Sequence, residues 1–260
     1  DIRLMRRIYF AMVAEVDAML GCLLEKLEET GLVDNTIVIF TSDHGELAME
    51  HRQFYKMSPY EGSTRVPLIV AGPGLGSGRR VDELVSLVDL HPTLLDVAGA
   101  PLPGDLDGHS LVPLAAGGQD AGRPDWVLSE FHGTSCNTGV FMLRRGDWKY
   151  IAYAGYEPHL FNLREDPDEV WNLAPERPEV VREMDGLLRS IVNYEAVDAK
   201  AKSYDRAAFS EWRAEHREAG DYRELMARIF SGWDRLPEEE IPEPWTDRDE
   251  EIVVQWLADG

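Results

Sequence analysis

The stretch from Thr36 to Gly74 constrains the fold of this chain more than any other. An apolar, β-branched run from Thr36 to Phe40 stops at Asp43-His44-Gly45. A polar loop follows with Glu46, Glu50, His51, Arg52 and Lys56, and a second apolar run, Pro67 to Val70, ends at Gly72-Pro73-Gly74. Such a loop brings carboxylate, imidazole and ammonium to a strand's C-terminal end, where open α/β sheets bind ligands and metals. Upstream, Val13, Val16, Leu20, Leu23, Leu24 and Leu27 recur at helical spacing, Gly31 is a stop signal, and Asp34-Asn35 turns the chain into a strand over Thr36–Thr41. Helix, short turn and strand in that order are the rhythm of a parallel α/β sheet, with Pro67–Ala71 as a second buried strand.

Beyond this segment the pattern predicts a strand-to-helix passage over Val85–Val97, with Pro92 in the first helical turn. Ala115–Pro124, rich in Gly and Ala, reads as a linker or surface loop. Short alternating runs follow at Trp126–Glu130, Gly139–Leu143, Trp148–Tyr153 and His159–Leu163, with a hairpin at Arg145-Gly146-Asp147, so a small antiparallel sheet is expected. Pro178–Val192 has helical spacing. The acidic remainder carries Trp212, Trp233, Trp245 and Trp256; it predicts helices over Asp205–Glu218 and Tyr222–Phe230, then an irregular arm. Three parts result: 1–118, an α/β core with the polar loop; 119–195, a small antiparallel sheet plus helix; and 196–260, an acidic helical extension.

The 260 residues suffice for an ample core. A net charge of −22, from 48 acidic and 26 basic residues, argues against a nucleic-acid partner. No apolar run approaches the roughly 20 residues of a membrane span. Cys22 and Cys136 lack metal or redox spacing, and Cys22, among Met19, Leu23 and Leu24, reads as a buried free thiol. The chain opens at Asp1 almost directly on a helical pattern, as expected of a sequence cut from something longer.

Asp43 and His44 can turn toward one metal, with Gly45 letting the backbone fold tightly behind them. Carboxylate favours Ca²⁺ or Mg²⁺, and imidazole admits Zn²⁺. The plainer alternative is a strand-capping Asp and a surface His. Lys56 can serve as a compact positive charge for an anionic ester, or be a solvated loop lysine. His91 and His109 read as turn and loop residues.

Taken together, the segments resemble the sulfatases, sulfate-ester hydrolases with the alkaline-phosphatase-like α/β fold. The resemblance runs in order through Asp17, Asn35-Thr36-Ile37-Val38, Ser42-Asp43-His44-Gly45, Lys56 and Tyr60-Glu61-Gly62. It continues through Arg65-Val66-Pro67-Leu68, Val88-Asp89-Leu90-His91-Pro92-Thr93, Gly108-His109-Ser110-Leu111, Trp148-Lys149-Tyr150-Ile151, Leu160-Phe161-Asn162-Leu163 and Asp166-Pro167-Asp168-Glu169 to Asn172-Leu173-Ala174. Glu46–Ser58 and Leu128-Ser129-Glu130-Phe131-His132-Gly133 are similar to a branch that removes the 2-O-sulfate from terminal glucuronate in glycosaminoglycans.

The resemblance implies a C-terminal half: the α/β sheet's C-terminal portion plus a small antiparallel α+β subdomain. It implies Asp43 and His44 as ligands of a Ca²⁺ ion and Lys56 as the contact to the substrate sulfate. It implies His51 as a substrate contact, with His132 a further pocket candidate. The family nucleophile is a formylglycine made from Cys in Cys-x-Pro-Ser-Arg. Here Cys22 precedes Leu23-Leu24-Glu25 and Cys136 precedes Asn137-Thr138-Gly139, so the nucleophile and the other metal ligands are expected in an N-terminal half that acts as partner. A sulfated sugar is the implied substrate, and a lysosomal or secreted/periplasmic compartment the implied setting. Two rivals stay open: a phosphatase, phosphodiesterase or phosphonate hydrolase of the same superfamily, and a non-catalytic sulfated-glycan or partner-binding module.

Overall fold

A computed structural model describes residues 2–133, 136–230 and 245–258. The chain divides into two compact units, 1–192 and 193–260.

The first unit opens with helix α1 (Ile2–Glu29). It ends where Gly31 turns left-handed at φ 66°, with Leu32 N–H returning to the Leu27 carbonyl, the Gly-terminated helix end anticipated from sequence. No α1 residue is buried, and Leu4, Phe10, Met12, Met19 and Leu23 are among those exposed. Cys22 is exposed, not a buried thiol: none of the described residues buries the apolar face on which it sits.

Strands β1 (Val38–Thr41) and β4 (Leu68–Ala71) pair with each other. The pairing is antiparallel, Val38 opposite Ala71 and Thr41 opposite Leu68, not parallel as the helix–turn–strand order suggested. A parallel return needs a crossover, usually helical. The connection here instead holds a hairpin of β2 (Leu47–Ala48) and β3 (Phe54–Tyr55) and one helical turn, α2 (Glu61–Thr64). β4 also alternates half-buried and exposed residues, where a buried strand was expected. Nor is there a strand at Val85: a 3₁₀ turn at Leu87–Asp89 leads directly into α3 (Leu90–Val97).

The start of α3 explains two of the recognised segments. Buried Asp89 accepts hydrogen bonds from the Ser86 N–H (2.9 Å), the His109 N–H (2.8 Å) and Arg123 Nη1 (2.6 Å). Gly108 packs so closely that a Cβ would lie 2.3 Å from the Val88 carbonyl oxygen. The Asp89 turn and the Gly108-His109-Ser110 loop are thus one locked corner. A short helix, α4 (Val112–Ala115), follows.

Strands β5 (Trp126–Phe131), β6 (Val140–Arg145), β7 (Trp148–Tyr153) and β8 (Tyr156–Asn162) form an antiparallel meander. Two tight hairpins shape it, with left-handed glycines at Gly146 (φ 57°) and Gly155 (φ 83°). Val140, Met142, Ile151 and Phe161 form a core on one face, with Tyr60, Phe131 and Tyr153 packed against it. Their neighbours Phe141, Leu143 and Tyr150 are buried too, so both faces of the central strands are covered. α5 (Pro178–Ile191) packs on β7; it buries Met184 and Leu188 one turn apart, and the Tyr150 hydroxyl donates to Asp185 at 3.1 Å.

The second unit begins at the Asn193 cap, whose side chain accepts from the Ala196 N–H. α6 (Tyr194–Ala219) starts well before the expected Asp205 and ends at left-handed Gly220. α7 (Tyr222–Phe230) falls where sequence put it. Residues 231–244, including Trp233 and most of the expected irregular arm, lie outside the described residues, and Asp247–Ala258 is a helix, α8. Tyr222, Met226, Trp245 and Val253 form the core of this unit, with Phe209 and Trp212 against it. Glu250 pairs with Arg213 and Arg217 and accepts from the Trp245 indole.

Candidate active site

β1 delivers the site. Just past Thr41, the Ser42 hydroxyl donates to the His44 carbonyl at 2.7 Å, and the His44 N–H donates to Asp43 Oδ1 at 3.0 Å. That backbone N–H holds the Asp43 carboxyl below its ordinary pKa.

His44 Nδ1 lies 2.8 Å from the Gly45 carbonyl, an acceptor only, so that nitrogen carries the proton. The lone pair of Nε2 then points outward, 3.3 Å from Asp43 Oδ2 and 2.5 Å from Lys56 Nζ. Two acceptor atoms so close repel unless a cation stands by them, and here the Lys56 ammonium does so by donating to Nε2.

The same pair fits a divalent ion. Bonds of about 2.1–2.4 Å to atoms with this separation subtend roughly a right angle, and the Gly45 carbonyl is the usual outer support of a ligating histidine. Among the described residues no cluster of three or more His, Cys, Asp or Glu side chains could hold a metal, so the described part of the chain offers two ligands.

Asp43, His44 and Lys56 line one cleft of about 780 Å³, together with Ser58, Arg65, Glu130, Phe131 and Arg144. His51 and His132 are not among the lining residues. His51 stacks flat on Tyr60, ring centroids 3.7 Å apart and planes within 8°. It sits in the β2–β3 hairpin, where Met49, His51, Arg52 and Tyr55 all have left-handed backbones. Such conformations in non-glycine residues cost about 1–3 kcal/mol each and collect at functional sites. Glu46 and Glu50 hold the hairpin by accepting from the Tyr55 and Ala48 N–H groups. His132 lies edge-on to Phe141 at 5.1 Å, with Nε2 3.4 Å from Glu130. A second cleft, of about 750 Å³, has its arginines neutralised: Arg123 by Asp89 and Arg145 by Asp125 and Glu183.

One supporting feature escaped the sequence reading. Lys149, fully buried on β7, pairs with Glu61 (3.0 Å) and Glu169 (2.8 Å), and Glu169 also accepts from the Glu61 N–H at 2.6 Å. Three segments carrying the sulfatase resemblance thus meet in one buried ion network. The adjacent charges Glu61 and Lys149 lie 88 residues apart in sequence, so no local pattern announces the contact.

Residues 3–100 match the Sulfatase family model. Arylsulfatase K of Rattus norvegicus is 44% identical over 99% of this chain and 46% of its own length, and that of Danio rerio 48% identical over 88% and 45%. The phosphonate monoester hydrolase of Agrobacterium radiobacter superposes with a TM-score of 0.67 at 34% identity, covering 73% of this chain and 41% of that one. A 2-O GAG sulfatase gives 0.66 at 33% identity, covering 72% and 42%. A protein solved with D-glucosamine-2-N,6-O-disulfate as its substrate gives 0.65 at 29% identity, covering 72% and 40%.

The chain belongs to the sulfatase family, and its fold is the alkaline-phosphatase-like α/β fold of these hydrolases. It spans about half the length of the curated relatives it matches. No helix among the described residues is long and apolar enough to cross a membrane.

Proposed function

We propose that this chain supplies the cation- and sulfuryl-binding half of a sulfuric ester hydrolase acting on a 2-O-sulfated uronate of a glycosaminoglycan. The observation that carries the proposal is the convergence of Asp43 Oδ2, His44 Nε2 and Lys56 Nζ on one point of a cleft. Asp43 and His44 would hold a Ca²⁺ ion, which when bound polarises the sulfate oxygens and lowers the pKa of the attacking oxygen. Lys56 donates to a non-bridging sulfuryl oxygen and neutralises charge as the ester bond lengthens. Its present hold on His44 Nε2 keeps the ammonium at the place where both cation and sulfate must come. His51, stacked on Tyr60, and His132 do not line the cleft, and a contact of either with the sugar rests on the resemblance alone. The 2-O position rests on likeness to arylsulfatase K and to the 2-O GAG sulfatase.

The nucleophile, a formylglycine by resemblance, and the remaining cation ligands come from an N-terminal half. The uncovered apolar face of α1 is the surface such a half would cover. The isolated chain should therefore show no turnover. The test is sulfate release from a terminal 2-O-sulfated glucuronate by this chain alone and by this chain joined to its N-terminal half. Release by the joined protein only is expected. Robust release by the chain alone would overturn the nucleophile assignment.

Likeness to a phosphonate monoester hydrolase favours a second reading, hydrolysis of a phosphonate or phosphate ester at the same site. A phosphonate monoester assayed beside the sulfate ester separates the two, and the sulfate ester should be the faster substrate.

A further inference from the structure

We infer that Ser63, on the one-turn helix α2, is a positioning residue that sets Lys56 against His44; this rests on the sulfatase reading of those two groups. Ser63 is 4% exposed and holds both halves of the site from one position. Its hydroxyl donates to the Lys56 carbonyl at 2.9 Å, and its own carbonyl accepts the Gly45 N–H at 2.7 Å. Lys56 and His44 stand twelve positions apart on a loop containing a two-residue-strand hairpin, which by itself cannot fix a distance between side chains. Ser63 joins the two ends.

The contact is tight because Gly45 and Gly62 leave room for nothing more. A Cβ on Gly45 would lie 2.0 Å from the Gly62 carbonyl oxygen, and one on Gly62 2.9 Å from Leu47 Cδ2. α2 is in turn fixed from behind. Glu61 is held by buried Lys149 and by Glu169, and Tyr60 packs on the core of the antiparallel sheet. A rigid sheet thus reaches the ammonium and the imidazole through one residue that lies outside the converging triplet. If the hydroxyl is lost, the Lys56 carbonyl loses a partner and the turn bearing the ammonium is free to shift, and a displacement of about 1 Å can cost 10²-fold in rate. Because the Ser63 carbonyl stays in place, the Gly45 contact survives substitution, so the change falls on Lys56.

A double-mutant cycle in the full-length sulfatase tests this, with kcat/KM for sulfate release expressed per mole of folded enzyme. Ser63→Ala should lower kcat/KM by about tenfold, the upper range of one lost hydrogen bond. With Lys56→Ala already present, Ser63→Ala should add almost nothing, since the group it positions is gone. A merely structural serine would cost the same factor in both backgrounds, and that result, or no loss in the unmodified background, overturns the proposal. If Ser63→Ala does not fold, Ser63→Cys keeps the volume, weakens the donor, and carries the same cycle. Failure of the sulfatase reading is seen separately, as full activity in Lys56→Ala alone.

Discussion

Lys56 Nζ stands 2.5 Å from His44 Nε2, and the proton on His44 Nδ1 makes that contact a donation from ammonium to imidazole. Under the proposed role of His44 as a cation ligand, the cation and the Lys56 ammonium compete for the one lone pair on Nε2. Cation binding should therefore free the ammonium toward the substrate, which couples loading of the site to the availability of its anion contact.

Asp43→Asn and His44→Ala should each weaken Ca²⁺ binding to the full-length enzyme by more than the 10–100-fold typical of losing an outer-shell partner, about 100-fold or more. Isothermal titration with Ca²⁺ measures this without any turnover. Affinity equal to that of the unaltered enzyme would remove both residues from the cation shell.

Lys149→Met should cost about 3–5 kcal/mol of stability, because it takes from buried Glu169 its lysine countercharge and leaves Glu61 only the longer contacts to Arg144 and Arg65. Urea denaturation of the full-length protein reads this directly. A loss below about 1 kcal/mol, the range of an exposed ion pair, would show that the network is not the anchor of α2.

His159 lies edge-on to Tyr153 at 5.2 Å and to Phe161 at 6.0 Å, and burial lowers its pKa below the ordinary histidine value. Below about pH 6.5 the unfolded chain binds a proton here that the folded chain resists, so stability falls as pH drops from that point toward the lowered folded value. Above that window the residue makes no pH-dependent contribution. Denaturation midpoints between pH 7 and pH 5 should show a shallower decline in His159→Gln than in the parent, and equal slopes would contradict the account.

Much of the secondary structure was legible because it obeys local rules. The spacing of Val13 to Leu27, the glycine at 146 and the alternation along Trp148–Tyr153 each map onto the element they predict. Strand direction was not legible, since β1 and β4 carry the same apolar runs in either sense and only the intervening hairpin decides. Exposure of Cys22 was missed because helical periodicity identifies an apolar face but not what covers it. Asp43, His44 and Lys56 stand out as residue types in the loop and lie side by side in the structure, whereas Ser63 and Lys149 do not stand out. A serine hydroxyl on a carbonyl and a lysine between two distant carboxylates leave no signature in local sequence.

The most direct measurement is sulfate release from a terminal 2-O-sulfated glucuronate by the full-length enzyme carrying Lys56→Ala. Turnover should fall by on the order of 10²–10³, as when one preorganised donor to the developing charge is removed. Unchanged turnover would contradict the assignment of Lys56 to the sulfuryl group.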